Sequence, residues 1–249
     1  MQLQDVLYSQ GFGTRRVCAG LIQQGLVQIH GEAPGGELQT VTDAAFDVTP
    51  QGLRVRVQGV DWPYHEKAYL MLHKPSGTEC SQKPSTYPSI YTLLPSPLRM
   101  RPQKAAVQGV QAVGRLDQDT TGLLLLSDDG QLNHVLSSGK RKVPKTYLVK
   151  TRHVVDQCQV EHLLAGVSLH GEPQPIAAAV CGIVGEYQLR LTVTEGKYHQ
   201  VKRMVAAAGN RVEGLHREAI GGFALPPELE PGEWRWLCAS ERQQLGVSV

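Results

Sequence analysis

Residues Val113–Gly130 read VGRLDQDTTGLLLLSDDG, and the fold is decided here. Leu123–Leu126 is an unbroken apolar run of strand length, which marks a buried strand. Just before it lies a polar turn between Gly114 and Gly122 that holds Arg115, Asp117 and Asp119. Just after it, Ser127-Asp128-Asp129-Gly130 leaves the strand and opens a short helix over Gln131–Ser137. The strand fixes the turn and the turn presents the side chain, so a carboxylate at this place is well set for chemistry. A plainer reading has Asp117 capping the turn and pairing with Arg115. A third compares Asp119-Thr120-Thr121-Gly122 with the aspartic proteases. It fails because an extra Thr interrupts the motif and the chain holds no second copy to share a proton.

The chain has 249 residues, room for one large domain or a large and a small one. A hydrophobic content of 41% is enough for a core, while a net charge of +2 sets up no overall basic field. Nucleic acid, if bound, must therefore be met by local clusters. Cysteines 18, 80, 158, 181 and 238 are scattered, odd in number and form no Cys-x-x-Cys pair, which speaks against zinc and for a reducing compartment. The start, MQLQDVLYSQ, is polar and carries an acid, unlike a signal peptide, and no apolar run approaches a membrane span. A soluble cytoplasmic monomer without cofactor or metal is expected.

Val6-Leu7 and then Val17, Leu21 and Ile22 give helical apolar spacing over two short helices. Gly11 and Gly13 break them, Thr14 is placed as an N-cap, and Gly25 ends the second. Leu26–His30 alternates as a strand and turns at Gly31. This helix-turn-helix-strand order resembles the small RNA-binding module of ribosomal protein S-four and tyrosyl-tRNA synthetase. The likeness rests on Leu3, the Gly-x-x-x-Arg ending at Arg15, and Gly25-x-Val27-x-Ile29-x-Gly31. It implies phosphate contacts from Arg15 and Arg16, which would position RNA without reading its sequence.

Residues 58–67, QGVDWPYHEK, mix polar, Pro and Gly residues and read as a linker, with 60–67 joining the two modules. Ala68–His73 then reads as a strand ending in the turn Lys74-Pro75-Ser76-Gly77. Residues 95–110 carry Pro95, Pro97 and Pro102 with Arg99, Arg101 and Lys104, a long basic loop ahead of the Asp117 turn. Gly139–Lys150 holds five basic residues and no acid, Lys140, Arg141 and Lys145 among them, and leads into a strand at Thr146–Val149. Asp156–Leu164 reads as an amphipathic helix, and Ile176–Cys181 and Tyr187–Thr194 as antiparallel strands. Gln200–Ala208 reads as a helix ended by Gly209-Asn210, with a strand from Val212.

GRLDxxTxGLLLLSxDG resembles the catalytic motif of the pseudouridine synthases, within the branch that modifies ribosomal RNA and carries an N-terminal RNA-binding module. Leu-His-Lys-Pro-Ser-Gly, Lys145-Thr146-Tyr147 and His199-Gln-Val-Lys-Arg-Met204 match further motifs of that family. The last, with Leu-His-Arg-Glu-x-Ile-Gly-Gly after it, is similar to the small-subunit branch. The resemblance implies an α+β protein. Residues 1–59 would be a small α/β RNA-binding module and residues 68–249 a catalytic domain built on a mixed, mainly antiparallel sheet with flanking helices. It implies Asp117 as catalytic carboxylate, Lys202 as its basic partner, and Tyr147 stacking beneath a flipped-out uracil. Leu215 and Ile220 would pack on that base, and Lys74, Arg115, Lys140, Arg141, Lys145, Lys197, His199 and Arg203 would hold RNA. The partner would be ribosomal RNA or the assembling small subunit. A large-subunit enzyme, a non-catalytic assembly factor and an Asp-dependent hydrolase are the competing classes.

Overall fold

The structure, a computed structural model, describes residues 1–31, 36–103, 108–137 and 142–244. It divides into two compact units. One comprises Met1–Ala68 with Leu94–Gln111, the other Tyr69–Leu93 and the chain from Ala112 onward.

In the first unit, α1 (Leu3–Gln10) and α2 (Arg15–Gln23) precede an antiparallel sheet of β1 (Val27–His30), β2 (Leu38–Thr40), β3 (Arg54–Val57) and β4 (Val60–Pro63), in the order β2-β1-β3-β4. The Thr14 hydroxyl accepts the Val17 amide at 3.3 Å and caps α2, as its place in the sequence predicts. Leu3, Val6, Leu7 and Ile22 are fully buried and form the inner face of the pair, whereas Leu21 is half-buried and Val17 is exposed, so the expected spacing holds only in part. Two expectations change. Residues 60–63 are not linker: they form β4, paired along its length with β3. The Pro-rich segment is not all loop. It carries α3 (Ser96–Met100) and belongs to this unit. Gly11 ends α1 at φ +91°, where a Cβ would stand 2.1 Å from the Pro97 carbonyl oxygen, so only glycine permits this approach. Arg101 is 1% exposed. It donates to Gln10 Oε1 at 2.8 Å and to the carbonyls of His65 at 2.8 Å and Glu66 at 3.1 Å. Its charge is committed to the interior. Lys104 lies outside the described residues.

The second unit holds β5 (Tyr69–Lys74), a 3-10 turn at Ile90–Leu93, β7 (Thr121–Ser127), α4 (Gly130–Ser137), β8 (Lys145–Thr151), α5 (Gln157–Ala165), β9 (Val180–Gly185) and β10 (Gln188–Val193). After these come α6 (Gln200–Ala207), β11 (Val212–Ile220), β12 (Phe223–Ala224), β13 (Trp234–Trp236) and α7 (Ala239–Gln244). The two-residue β6 (Gln111–Ala112) stands where the chain enters this unit. The sheet runs β13-β5-β7-β11-β8-β10-β9, with β12 on β11. β6 also pairs with β7, and the other ladders are antiparallel except β7 with β11. This is the α+β, mainly antiparallel class expected.

β7 lies inside the sheet, between β5 and β11, and is covered on both faces, which is why its sequence does not alternate. Leu123, Leu124, Leu125 and Leu126 are at most 1% exposed. Each contributes about 1.5–3 kcal/mol of burial. Gly122 has φ +107°, and a Cβ there would stand 2.3 Å from the Arg217 carbonyl oxygen. Glycine is what lets β7 and β11 come together at the turn. The strand expected at Ile176–Cys181 begins at Val180 instead. Ile176 makes an isolated bridge to Val167, and Ile176 and Ala178 are buried in the core beside α5, so their alternation reflects packing and not a ladder. Among the described residues no helix is long and apolar enough to cross a membrane.

Candidate active site

A cavity of about 150 Å³ opens at the Asp117 turn. Asp117, Thr120, Lys145, Tyr147, Glu195, His199, Lys202, Leu215 and Arg217 contribute to its wall, with Arg115, Leu136, Val193, Lys197, Gln200 and Val201. Sheet register brings three of these together. Tyr147 on β8 faces Arg217 on β11, and Val149 faces Leu215. Directly opposed residues project to the same side of a sheet, and so do residues two apart, so Tyr147, Leu215 and Arg217 share one face. Tyr147 is 8% exposed and Leu215 9%.

Asp117 meets two bases. His199 Nε2 is 3.4 Å from Oδ1 and Lys202 Nζ 3.3 Å from Oδ2. Lys202 is also bound to Asp119, at 2.6 and 2.8 Å. The lysine expected to pair with Asp117 thus bridges two carboxylates and is nearer to the other. Burial works against the Lys202 charge, but the Asp119 hydrogen bond and both carboxylates outweigh it, so its pKa lies above the ordinary lysine value. Burial likewise opposes ionisation of Asp119, and Lys202 outweighs it, holding that carboxyl below its ordinary value. His199 stands in the left-handed region, φ +47°, at the start of α6, with Tyr198 stacked on its ring at 3.9 Å. Such backbone costs about 1–3 kcal/mol in a non-glycine residue and tends to occur at functional sites.

Other expected contacts fall differently. Lys74 is fully buried, and its ammonium donates to the carbonyls of Pro75, Gln118 and Thr120 at 3.1, 3.3 and 2.9 Å. It cannot reach RNA phosphate. It holds the backbone of the Asp117 turn, and burial depresses its pKa. Ile220 is no part of the cavity wall. It lies beyond a register irregularity between Arg217 and Ala219 and packs with Leu123, Leu125 and Phe223. Lys197 reaches the cavity but is paired with Glu172 at 2.5 Å and Glu195 at 3.4 Å. Arg203 points elsewhere, donating to the carbonyls of Tyr198 and His170. Lys145 lines the cavity, its pKa lowered by burial and then by the charge of Arg217. Arg115 is exposed at the same wall. Lys140 and Arg141 lie outside the described residues. In the first unit Arg15 pairs with Asp5 at 2.8 Å and lies 4.1 Å over the Tyr8 ring, and Arg16 is exposed.

Sequence reasoning passed over Thr120, Glu195, Gln200 and Arg217 as site residues. Arg217 could have been found, because a charged residue two places from a buried Leu in a strand shares its inward face.

A sequence profile of the RNA pseudouridylate synthases matches residues 68–207. The chain belongs to this family. Among its relatives, the ribosomal small subunit pseudouridine synthase A of Escherichia coli K12 is 38% identical over 237 residues, 95% of this chain and 96% of that protein. The protein of the same name from Haemophilus influenzae is 39% identical over 233 residues, 93% of this chain and 94% of its own. A crystal structure of a pseudouridylate synthase matches at a TM-score of 0.65 with 35% identity, covering 98% of this chain and 99% of that one. The family match takes in the Lys74 turn, the Asp117 turn, Tyr147 and Lys202.

Proposed function

We propose that this chain converts a uridine of small-subunit ribosomal RNA to pseudouridine, with Asp117 as the carboxylate acting on the target nucleotide. The observation carrying this reading is the convergence of Asp117, Tyr147, Leu215 and Lys202 on one small cavity. Its volume matches that which elsewhere takes up a benzene-sized ring. The reaction breaks the bond from uracil N1 to ribose C1′ and makes one from C5 to C1′. The C5 hydrogen leaves as a proton and N1 gains one, so no electrons are exchanged with a partner. The base must first leave its stack, at a cost of a few kcal/mol. Stacking on Tyr147 returns about 1–3 kcal/mol of that. His199 and Lys202 keep Asp117 oriented, and the cavity walls keep the detached base from solvent.

Arg15 and Arg16 of the first unit are proposed as phosphate contacts that position the RNA. The small-subunit assignment rests on the relatives of that name. Free ribosomal RNA or the assembling subunit in the cytoplasm would be the partner. Action as a monomer is part of this proposal.

Transcripts of small- and large-subunit RNA labelled with tritium at uracil carbon five test this. The wild-type protein should release tritium from the small-subunit transcript, and Asp117→Asn should release none while binding RNA. Release from the large-subunit transcript alone would overturn the subunit assignment. Wild-type rates in Asp117→Asn would overturn the role of Asp117.

A further inference from the structure

Besides a carboxylate oxygen of Glu195, two polar atoms in the wall of the cavity are buried without a hydrogen-bond partner among the described residues: Thr120 Oγ1 and Arg217 Nη2. Thr120 is 1% exposed and Arg217 2%. The Arg217 guanidinium is anchored through Nε, which donates to the Leu123 carbonyl at 2.8 Å. Glu195 Oε2 also lacks a hydrogen bond, but its charge is met by Lys197 at 3.4 Å. A buried hydroxyl or cationic N–H that bonds to nothing costs stability, so folding gives no reason to keep either. A ligand that supplies the missing partners does.

We infer that Arg217 and Thr120 hold the polar edge of the uracil, Arg217 donating to a ring carbonyl and Thr120 Oγ1 accepting from N3–H. This rests on the function proposed above. The chemistry of uracil makes such a pair of contacts useful twice. Turning the ring over about the line through N3 and C6 exchanges N1 with C5 and O2 with O4, and leaves N3–H where it was. That turn is the rearrangement the reaction needs. A donor facing one carbonyl before the turn faces the other after it, while the N3–H contact is kept. When the N1–C1′ bond breaks, its electron pair leaves with the base and spreads onto O2 and O4. The positive charge of Arg217 beside a carbonyl then stabilises the detached ring. Cytosine would set its amino group against the Arg217 donor where uracil offers O4, donor against donor, while the Thr120 hydroxyl would have to turn from accepting to donating.

The test is Thr120→Val, which keeps shape and removes only the hydroxyl, with Arg217→Lys as second variant. Both are compared with wild type for melting temperature, RNA binding and tritium release from the labelled small-subunit transcript. Thr120→Val should melt at or above the wild-type temperature and bind RNA equally. Its kcat should fall roughly three- to tenfold with KM little changed, the loss of one neutral hydrogen bond. Arg217→Lys keeps the charge and loses the fixed fork, and its kcat should fall roughly ten- to a hundredfold. Wild-type kcat in Thr120→Val, or a clearly lowered melting temperature, would overturn the inference and leave the proposed function standing. Absence of tritium release from any transcript by the wild-type protein would overturn both.

Discussion

Arg101 and Arg217 are both buried arginines, one in each compact unit, and they differ in what their guanidinium groups meet. Arg101 donates to a side-chain amide and two backbone carbonyls. Arg217 donates through Nε and leaves Nη2 unmatched among the described residues. A buried cation is tolerated when its hydrogen bonds are made. The one with them made is part of the fold, and the one without is held ready for something else. Lys74 stands with Arg101, its ammonium given to three carbonyls.

The comparison can be broken most directly at Arg101. Arg101→Met should cost about 2–4 kcal/mol of stability, since it removes three charge-assisted hydrogen bonds, even though Gln10 Oε1 keeps the His65 amide and the His65 carbonyl keeps Gln10 Nε2. Urea denaturation measures this, and the folded variant should keep its turnover rate. A variant of normal stability and reduced turnover would place Arg101 with Arg217 instead. Lys74→Met should be intermediate, costing about 1–3 kcal/mol and also slowing tritium release, because the turn that carries Asp117 loses its anchor. Faster amide exchange at Gly77, which donates to the Gln118 carbonyl at 2.8 Å, would report that loosening.

Tyr147→Phe and Tyr147→Ala sharpen the other side. If the ring is a platform, Phe keeps most RNA binding and Ala loses about 1–3 kcal/mol of it, measured by filter binding at fixed salt. Equal binding by all three proteins would make Tyr147 ordinary core. A smaller effect is expected at Asp119. Asp119→Asn leaves Lys202 to Asp117 alone, and turnover should fall by less than about tenfold, far less than in Asp117→Asn.

The smallest effect concerns Glu79. Its carboxylate accepts the amides of Tyr87, Thr86 and Ser85, which hold its pKa down to about 2. A depressed carboxyl stabilises above its unfolded pKa, and that contribution fades as pH falls toward the folded value. The Ser85–Tyr87 amides should therefore be protected near neutral pH and lose protection between about pH 4.5 and pH 2. In Glu79→Gln they should be less protected at neutral pH too. Identical exchange profiles would show the loop is held by other bonds.

What could be read from the sequence was what local chemistry decides. The Leu123–Leu126 run announced a buried strand, Thr14 a cap, and the glycine-bounded turn a placed carboxylate. What could not be read was which basic residues face inward. Lys74 and Arg101 look like surface cations in Pro-rich surroundings, and only the carbonyls brought to them by the fold take the place of water. β4 reads as linker in the sequence because Gln58-Gly59 looks like polar filler. With φ of +50° and +83° these residues make the tight reversal that pairs β3 with β4. Ile220 is expected on the base only from the resemblance, and its odd spacing of five from Leu215 already hints at the separate core cluster in which it packs.

The order of strands also sets when the molecule can be made whole. β11 lies between β7 and β8, although both precede it in the chain by many residues. β7 and β8 are not neighbours, so neither closes the gap for the other. A ribosome making this chain from its N-terminus releases the Asp117 turn and the Tyr147 strand early, each with an open edge toward a partner not yet made. Pairings so distant in sequence are slow to form, and open apolar edges are the places where unfinished chains aggregate. The two halves of the site face each other only once β11 has slid between their strands, so the last third of the chain acts as the keystone of a site whose carboxylate was made long before.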